Sequence, residues 1–197
     1  MRVVLASGSP RRRELCEKMG LSFEVRPVDC DEAYDRAALS PREAVSMLAR
    51  RKCAAAEAGG EETIVIASDT MVEIDGLPLG KPRDADDARR MLRRLSGRTH
   101  TVHTGVAVRR GGTTLYTVDS ARVRFWPLGE AQIDEYVRGG EPMDKAGSYA
   151  VQGKGGAFVA EIIGAADTVI GLCCAETAAL IKRLVPEAGV TEGGARF

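Results

Sequence analysis

The chain has 197 residues, 44% apolar and 28% charged, which excludes a disordered polymer and leaves room for one domain with a sizeable core. Basic and acidic residues number 28 each, so no global field draws the protein to nucleic acid or an acidic membrane, and any anion must be held by local clustering. No apolar stretch is long enough to cross a bilayer, no signal-peptide pattern is present, and the 5 cysteines lack CxxC spacing, so the expectation is a cytoplasmic protein with reduced thiols.

Val3, Val4 and Leu5 predict a short strand, followed by the loop Ala6-Ser7-Gly8-Ser9 and a helix beginning at Pro10. Ser9 is positioned to cap that helix, and proline suits the first helical position because the N–H it lacks would have no partner there. Phe23-Glu24-Val25 leads into an acidic loop with Asp29, Asp31 and Glu32. Ser40-Pro41-Arg42-Glu43 spells a capping box for a second helix, which Gly59-Gly60 closes. Residues 63–67 are apolar and β-branched without a break, as in a strand buried on both faces. A further strand over 71–74 turns at Asp75-Gly76. Asp84 caps a helix whose Ala88, Met91, Leu92 and Leu95 share a face before Gly97 stops it.

Residues 100–108 and 113–119 pair as antiparallel strands around Arg109-Arg110-Gly111-Gly112. Val123 and Phe125 alternate with charged neighbours, predicting a strand with one wet face. A helix over 130–137, a glycine-dense stretch over 147–156, a strand near 158–163 and a helix near 175–184 complete the pattern. Apolar runs alternating with helical patterns predict an α/β fold. The organisation expected is one domain over 1–190 and a loose tail over 191–197.

Arg11, Arg12 and Arg13 oppose the dipole of the helix they open, so they make sense where an anion rests against the loop N–H groups. Asp69 follows the buried strand over 63–67, the position from which an α/β sheet presents side chains to a ligand cleft; a turn or cap residue is the plainer reading. Lys52 falls on the apolar stripe of its helix with Val45, Leu48 and Ala56, so it either snorkels to water or finds an anion. Lys81 lies in a loop stiffened by Pro82. A carboxylate from the acidic loop beside Asp69 would make a magnesium site, since magnesium takes one or two carboxylates plus phosphate oxygens and water. Together these acids and bases suit a metal-bound polyphosphate. Tyr149 either stacks on a base or packs in the core, and Gln152 offers both a donor and an acceptor to a base edge. His100 and His103 lack a third ligand at metal spacing and read as strand residues, and Cys173 and Cys174 as buried small hydrophobes. Neither a P-loop nor a helix-opening GxGxxG is present.

As a set, these residues resemble the Maf family of nucleoside triphosphate pyrophosphatases. The likeness rests on Leu5-Ala6-Ser7-Gly8-Ser9-Pro10-Arg11-Arg12, Ser68-Asp69-Thr70-Met71-Val72, Gly80-Lys81-Pro82 and Met91-Leu92-Arg93-Arg94-Leu95-Ser96-Gly97. Glu141-Pro142-Met143-Asp144-Lys145-Ala146-Gly147 and Gln152-Gly153 extend it, in the expected order, over nearly the whole chain to about Leu184. The resemblance implies a mixed twisted sheet flanked by helices, two lobes around a cleft, similar to the inosine triphosphate pyrophosphatases. It also implies hydrolysis of a nucleoside triphosphate to monophosphate and pyrophosphate, a divalent cation, magnesium or manganese, and a homodimer. By motif, Asp69 resembles the catalytic proton acceptor. Ser7, Arg11, Lys52 and Lys81 match the phosphate-binding set, Glu32 matches a functional acid, and Arg12, Thr70 and Gln152 match positions of substrate choice. The Asp-Lys-Ala-Gly and Gln-Gly signatures are similar to the branch acting on dTTP and UTP rather than on 7-methyl-GTP. Two departures stand out: Ala150 replaces a usual glycine and Cys173 a usual proline. The competing readings are the purine-type branch and a regulator of cell division that binds triphosphates without turnover.

Overall fold

A computed structural model describes residues 2–193. Strand β1 (Val3–Leu5) leads to helix α1 (Pro10–Lys18), and β2 (Glu24–Val25) precedes α2 (Pro41–Ala55). The long strand β3 (Ile64–Ile74) turns into β4 (Leu77–Leu79), followed by α3 (Ala85–Leu95) and the hairpin of β5 (Thr99–Arg110) and β6 (Thr113–Phe125). Helix α4 (Glu130–Arg138), three short 3-10 turns, β7 (Val159–Ile163), α5 (Ala166–Ile170) and α6 (Cys174–Leu184) complete the described chain. The strands form one mixed sheet of order β2-β1-β3-β5-β6-β7, with β4 paired to β3. Pairing is parallel for β2-β1-β3 and antiparallel elsewhere. This is the expected mixed α/β architecture. No described helix is long and apolar enough to span a membrane.

The expectation of two strands, 63–67 and 71–74, with Asp69 just past the first, gives way to one unbroken strand. β5 pairs with β3 in constant register from Ile64 to Glu73, so Ser68-Asp69-Thr70 lies inside the ladder, with Asp69 opposite Gly105. Polar side chains interrupted the apolar pattern, but the backbone ladder does not depend on side-chain polarity. The next two expected strands also lengthen and merge. β6 carries 113–119 and the Val123-Phe125 stretch as one element, and the turn shortens to Gly111-Gly112. The Asp75-Gly76 turn forms as read, with positive φ at both residues. Helix α2 has its capping box but ends at Ala55, before Gly59-Gly60. Ser9 sits at the N-cap of α1 without a side-chain cap bond, and its N–H donates instead to Ser7 Oγ at 3.3 Å. Helix α5 and strand β2 escaped the sequence reading, being 5 and 2 residues long. Of the expected tail, Thr191 donates its N–H to the Met19 carbonyl at 3.2 Å, and residues 194–197 lie outside those described.

Alternation along β3 sorts the core. On one face Ile64 and Ile66 pack with Leu15, Cys16, Met19 and Ile181, while Val72 and Ile74 pack with Leu92, Leu95, Phe125 and Ile133. Between these two apolar cores the same face carries Ser68, Thr70 and, from β5, Thr104, a polar seam. The opposite face holds Val65, Ala67, Asp69 and Met71 beneath α2, whose Ala49, Cys53, Val45 and Leu48 pack there. Contact with α2 is closest at Gly105, where a Cβ would lie 2.4 Å from the Val45 carbonyl oxygen. Only glycine lets the helix settle onto the sheet at that point.

Candidate functional site

One edge of β3 is only partly paired. β1 covers it at 64–66 and β4 at 72–74, leaving residues 67–71 without a neighbouring strand. Consecutive residues of a strand face opposite ways, yet Asp69 and Thr70 both line one cavity, because the cavity wraps around this bare edge. Its volume is about 740 Å³, within the ordinary range for a small-molecule site. The loop from Ser7 to Arg12, Glu32, Lys52 of α2, Lys81 and the segment from Asp144 to Val151 complete its wall.

On the α2 side the chemistry is ionic. Lys52 resolves its two alternatives by finding anions: Nζ lies 2.6 Å from Asp69 Oδ1 and 2.6 Å from Glu32 Oε1. Burial pulls the Lys52 pKa down, but the charge of Asp69 and hydrogen bonds to Asp69 and Glu32 outweigh it and hold it above the ordinary lysine value. The hydrogen bond from Lys52, with the nearby charge of Lys81 and Arg12, holds Glu32 below the usual carboxylate range. Of the acidic loop, Glu32 reaches the site, while Asp31 Oδ1 accepts from the Ala33 N–H in its own turn.

On the seam side the chemistry is hydrogen bonding. Arg12 donates from Nε to the Gly171 carbonyl at 2.9 Å, from Nη1 to Ser7 Oγ at 3.1 Å and from Nη2 to Thr70 Oγ1 at 3.3 Å. Its pKa is lowered by burial, with Asp69 opposing. The Gly171 carbonyl also accepts from Ser68 Oγ at 2.7 Å. Gly171 has φ +125°, which glycine adopts freely, so the α5 turn fixes the Arg12 fork.

Of the residues picked out by sequence, Ser7, Arg11, Arg12, Glu32, Lys52, Asp69, Thr70 and Lys81 share this cavity. Arg13, third in the basic cluster, instead turns outward to Glu17 at 3.0 Å. Gln152 is not among the lining residues; its Nε2 approaches Glu14 Oε2 at 3.5 Å on the exposed side. Tyr149 packs in the core, its ring edge-on to Phe125 and its hydroxyl 2.8 Å from His100 Nε2, with one side against the cavity. His100 and His103 are buried strand residues, and Cys173 and Cys174 are fully buried. Tyr34, Arg36 and Lys145 also line the cavity. Lys145 had a signal, its place in the Asp144-Lys145 motif, whereas Tyr34 and Arg36 sit in a loop without a pattern.

Asp69 and Glu32 carry hard oxygen donors, the chemistry magnesium and manganese accept, and the two carboxylates meet at the Lys52 ammonium. Among the described residues no group of three or more His, Cys, Asp or Glu could hold a metal. The donor set therefore fits a cation that arrives with phosphate oxygens rather than one caged by protein alone.

Residues 2–184 match the family described as Maf-like protein. A protein of Anaeromyxobacter dehalogenans named dTTP/UTP pyrophosphatase is 54% identical over 186 residues, covering 92% of this chain and 93% of that one. Proteins of the same name from Chromobacterium violaceum and Bacillus cytotoxicus are 47% and 44% identical, covering 91% and 98% of this chain and 93% and 96% of theirs. The structure of the Staphylococcus aureus Ham1 protein superposes with a TM-score of 0.46 at 15% identity, over 79% of this chain and 90% of that one. With a family match over nearly its whole length and relatives above 40% identity, the chain belongs to the Maf family.

Proposed function

We propose that this protein is a nucleoside triphosphate pyrophosphatase acting on dTTP and UTP, releasing the monophosphate and pyrophosphate. The observation that carries the reading is the convergence of Asp69 with Arg11, Arg12, Lys52 and Lys81 in one cavity, from four separate stretches of the chain. The names of relatives at 44–54% identity support the choice of substrate.

In this mechanism Arg11, Lys81 and Ser7 bind the triphosphate tail, and the cationic groups favour negative charge building on the departing pyrophosphate. Asp69 orients a water against the α-phosphorus and takes its proton. The new P–O bond forms as the bond to the oxygen bridging the α- and β-phosphorus breaks, and pyrophosphate leaves with that electron pair. Lys52 fixes the Asp69 carboxylate in place by its 2.6 Å contact and holds Glu32 beside it. Asp69 and Glu32 would hold a divalent cation brought by the substrate; such a cation neutralises phosphate charge and makes bound water more acidic.

Pyrophosphate release from dTTP, UTP, 7-methyl-GTP and ITP, with magnesium and with chelator, tests the reading. Turnover of the first two with magnesium, falling about 10²-fold or more in Asp69→Asn, is the expected result. Binding of all four without release would instead make the protein a nucleotide sensor.

A further inference from the structure

The loop that carries Glu32 into the cavity has few ties to the rest of the fold. Residues 26–35 form neither helix nor strand, and among the described residues no backbone–backbone hydrogen bond reaches 27–34. The Ala33 N–H bond to Asp31 Oδ1 at 2.8 Å is internal to the turn. Val28 packs on the core and the Tyr34 hydroxyl rests on Met71 Sδ at 3.4 Å, which ties down both ends but not residues 31–33. The Glu32 side chain is 60% exposed, so packing does not fix it, and it is held by the 2.6 Å contact with Lys52.

Lys52 is a poor anchor for Glu32 once substrate arrives. It lines the same cavity, where phosphate oxygens compete for its ammonium. Arg51, the preceding residue of α2, is placed differently. It is exposed and outside the cavity wall, beyond the reach of that competition. Its Nη1 donates to the Ala33 carbonyl at 2.7 Å and to the Asp31 carbonyl at 3.4 Å. These belong to the two residues flanking Glu32, so one guanidinium group grips the backbone on both sides of it. Helix α2 therefore holds Glu32 twice, by its carboxylate through Lys52 and by its backbone through Arg51, while Lys52 also holds Asp69.

We propose that Arg51 is a positioning residue that keeps Glu32 beside Asp69 and thereby sets how tightly the protein takes up the divalent cation accompanying its substrate. The cation rests on the triphosphate reading above; the seating of the loop does not. Groups that orient a metal ligand without touching the metal typically contribute about 10–100-fold in metal affinity. The sign of the effect separates this role from simple charge. Arg51 is itself a cation, so removing its charge alone would strengthen binding of another cation nearby, whereas a displaced Glu32 weakens it.

The test measures Mn2+ binding by electron paramagnetic resonance on the full chain saturated with the α,β-methylene analogue of UTP, which cannot release pyrophosphate. Arg51→Ala weakens Mn2+ binding about tenfold. In a Glu32→Gln background the same substitution has no further effect, because Arg51 acts through Glu32. Without any ligand, Cys30, half-buried in the same loop, reacts faster with a thiol reagent in Arg51→Ala than in the wild type. Partial unfolding would lower the number of Mn2+ sites and leave their affinity unmoved. Unchanged or tighter Mn2+ binding in Arg51→Ala overturns the proposal, as does an equal loss in the Glu32→Gln background or a Cys30 rate that does not change. A protein that releases pyrophosphate from UTP but binds Mn2+ independently of Arg51 would sink this proposal alone. Arg51-dependent Mn2+ binding in a protein that releases none would sink the enzymatic reading and leave this one standing.

Discussion

Gly105→Ala perturbs the site without touching any residue in it. Gly105 faces Asp69 across the β3-β5 ladder, and the added Cβ would lie 2.4 Å from the Val45 carbonyl oxygen and 2.7 Å from its carbon. Both are backbone atoms, so no rotamer change relieves the clash, and α2 must lift by about 1 Å to reach ordinary van der Waals contact. Overpacking of this kind costs about 1–3 kcal/mol, which lowers Tm by roughly 2–12 °C in a chain of this size. The same lift carries Lys52, two helical turns along α2, away from Asp69. A 2.6 Å contact lengthened by that amount passes beyond hydrogen-bond range. Misplacement by about 1 Å costs on the order of 10²-fold in rate. Thermal unfolding and kcat/KM for UTP, measured on the same preparation, check both effects. A variant with wild-type Tm and wild-type kcat/KM would refute the claim that α2 is seated by the missing side chain.

Two further outcomes are expected. Burial lowers the His100 pKa to about 4, so below pH 6.5 the unfolded chain takes up a proton that the folded one refuses. Stability present above pH 6.5 is therefore lost as pH falls toward 4, by up to about 3 kcal/mol, and urea midpoints of His100→Gln against wild type over that window should show a shallower slope, the remainder belonging to carboxylates such as Glu32. A thiol reagent at neutral pH should label Cys30, which is half-buried, in the native protein and all five cysteines only after unfolding. Burial pushes Cys16 up to about 12 and Cys53 to about 11, and rapid native labelling of either would contradict their place in the core.

Much of the site was legible because its chemistry conflicts with local stability. Arginines opening a helix and a lysine on an apolar stripe are unfavourable choices unless something anionic meets them, and Lys52 meets two carboxylates. Arg13 carried the same signal as Arg11 and Arg12, yet helical periodicity turns it toward Glu17 and solvent. The apolar run stops at Ala67 while the strand does not, so Asp69 lies inside β3 rather than past its end. Nothing in Ser68-Asp69-Thr70 announces that β5 pairs straight through it. Helix α5 left no mark because five residues are too short for helical periodicity to emerge, although its Gly171 turn is what holds Arg12.

Local rules alone therefore determined the α/β class, the order of most elements, the caps at Ser40 and Asp84, the tight turn at Asp75-Gly76 and the residue types of the site. These depend on contacts a few residues apart, which a linear pattern records. The parallel cover of β3 by β1 at 64–66, the seating of α2 on Gly105 and the hydrogen bonds linking Thr168, Thr104 and Thr70 belong to the tertiary structure alone. Each joins groups dozens of residues apart, and its geometry is set by packing that no single segment encodes.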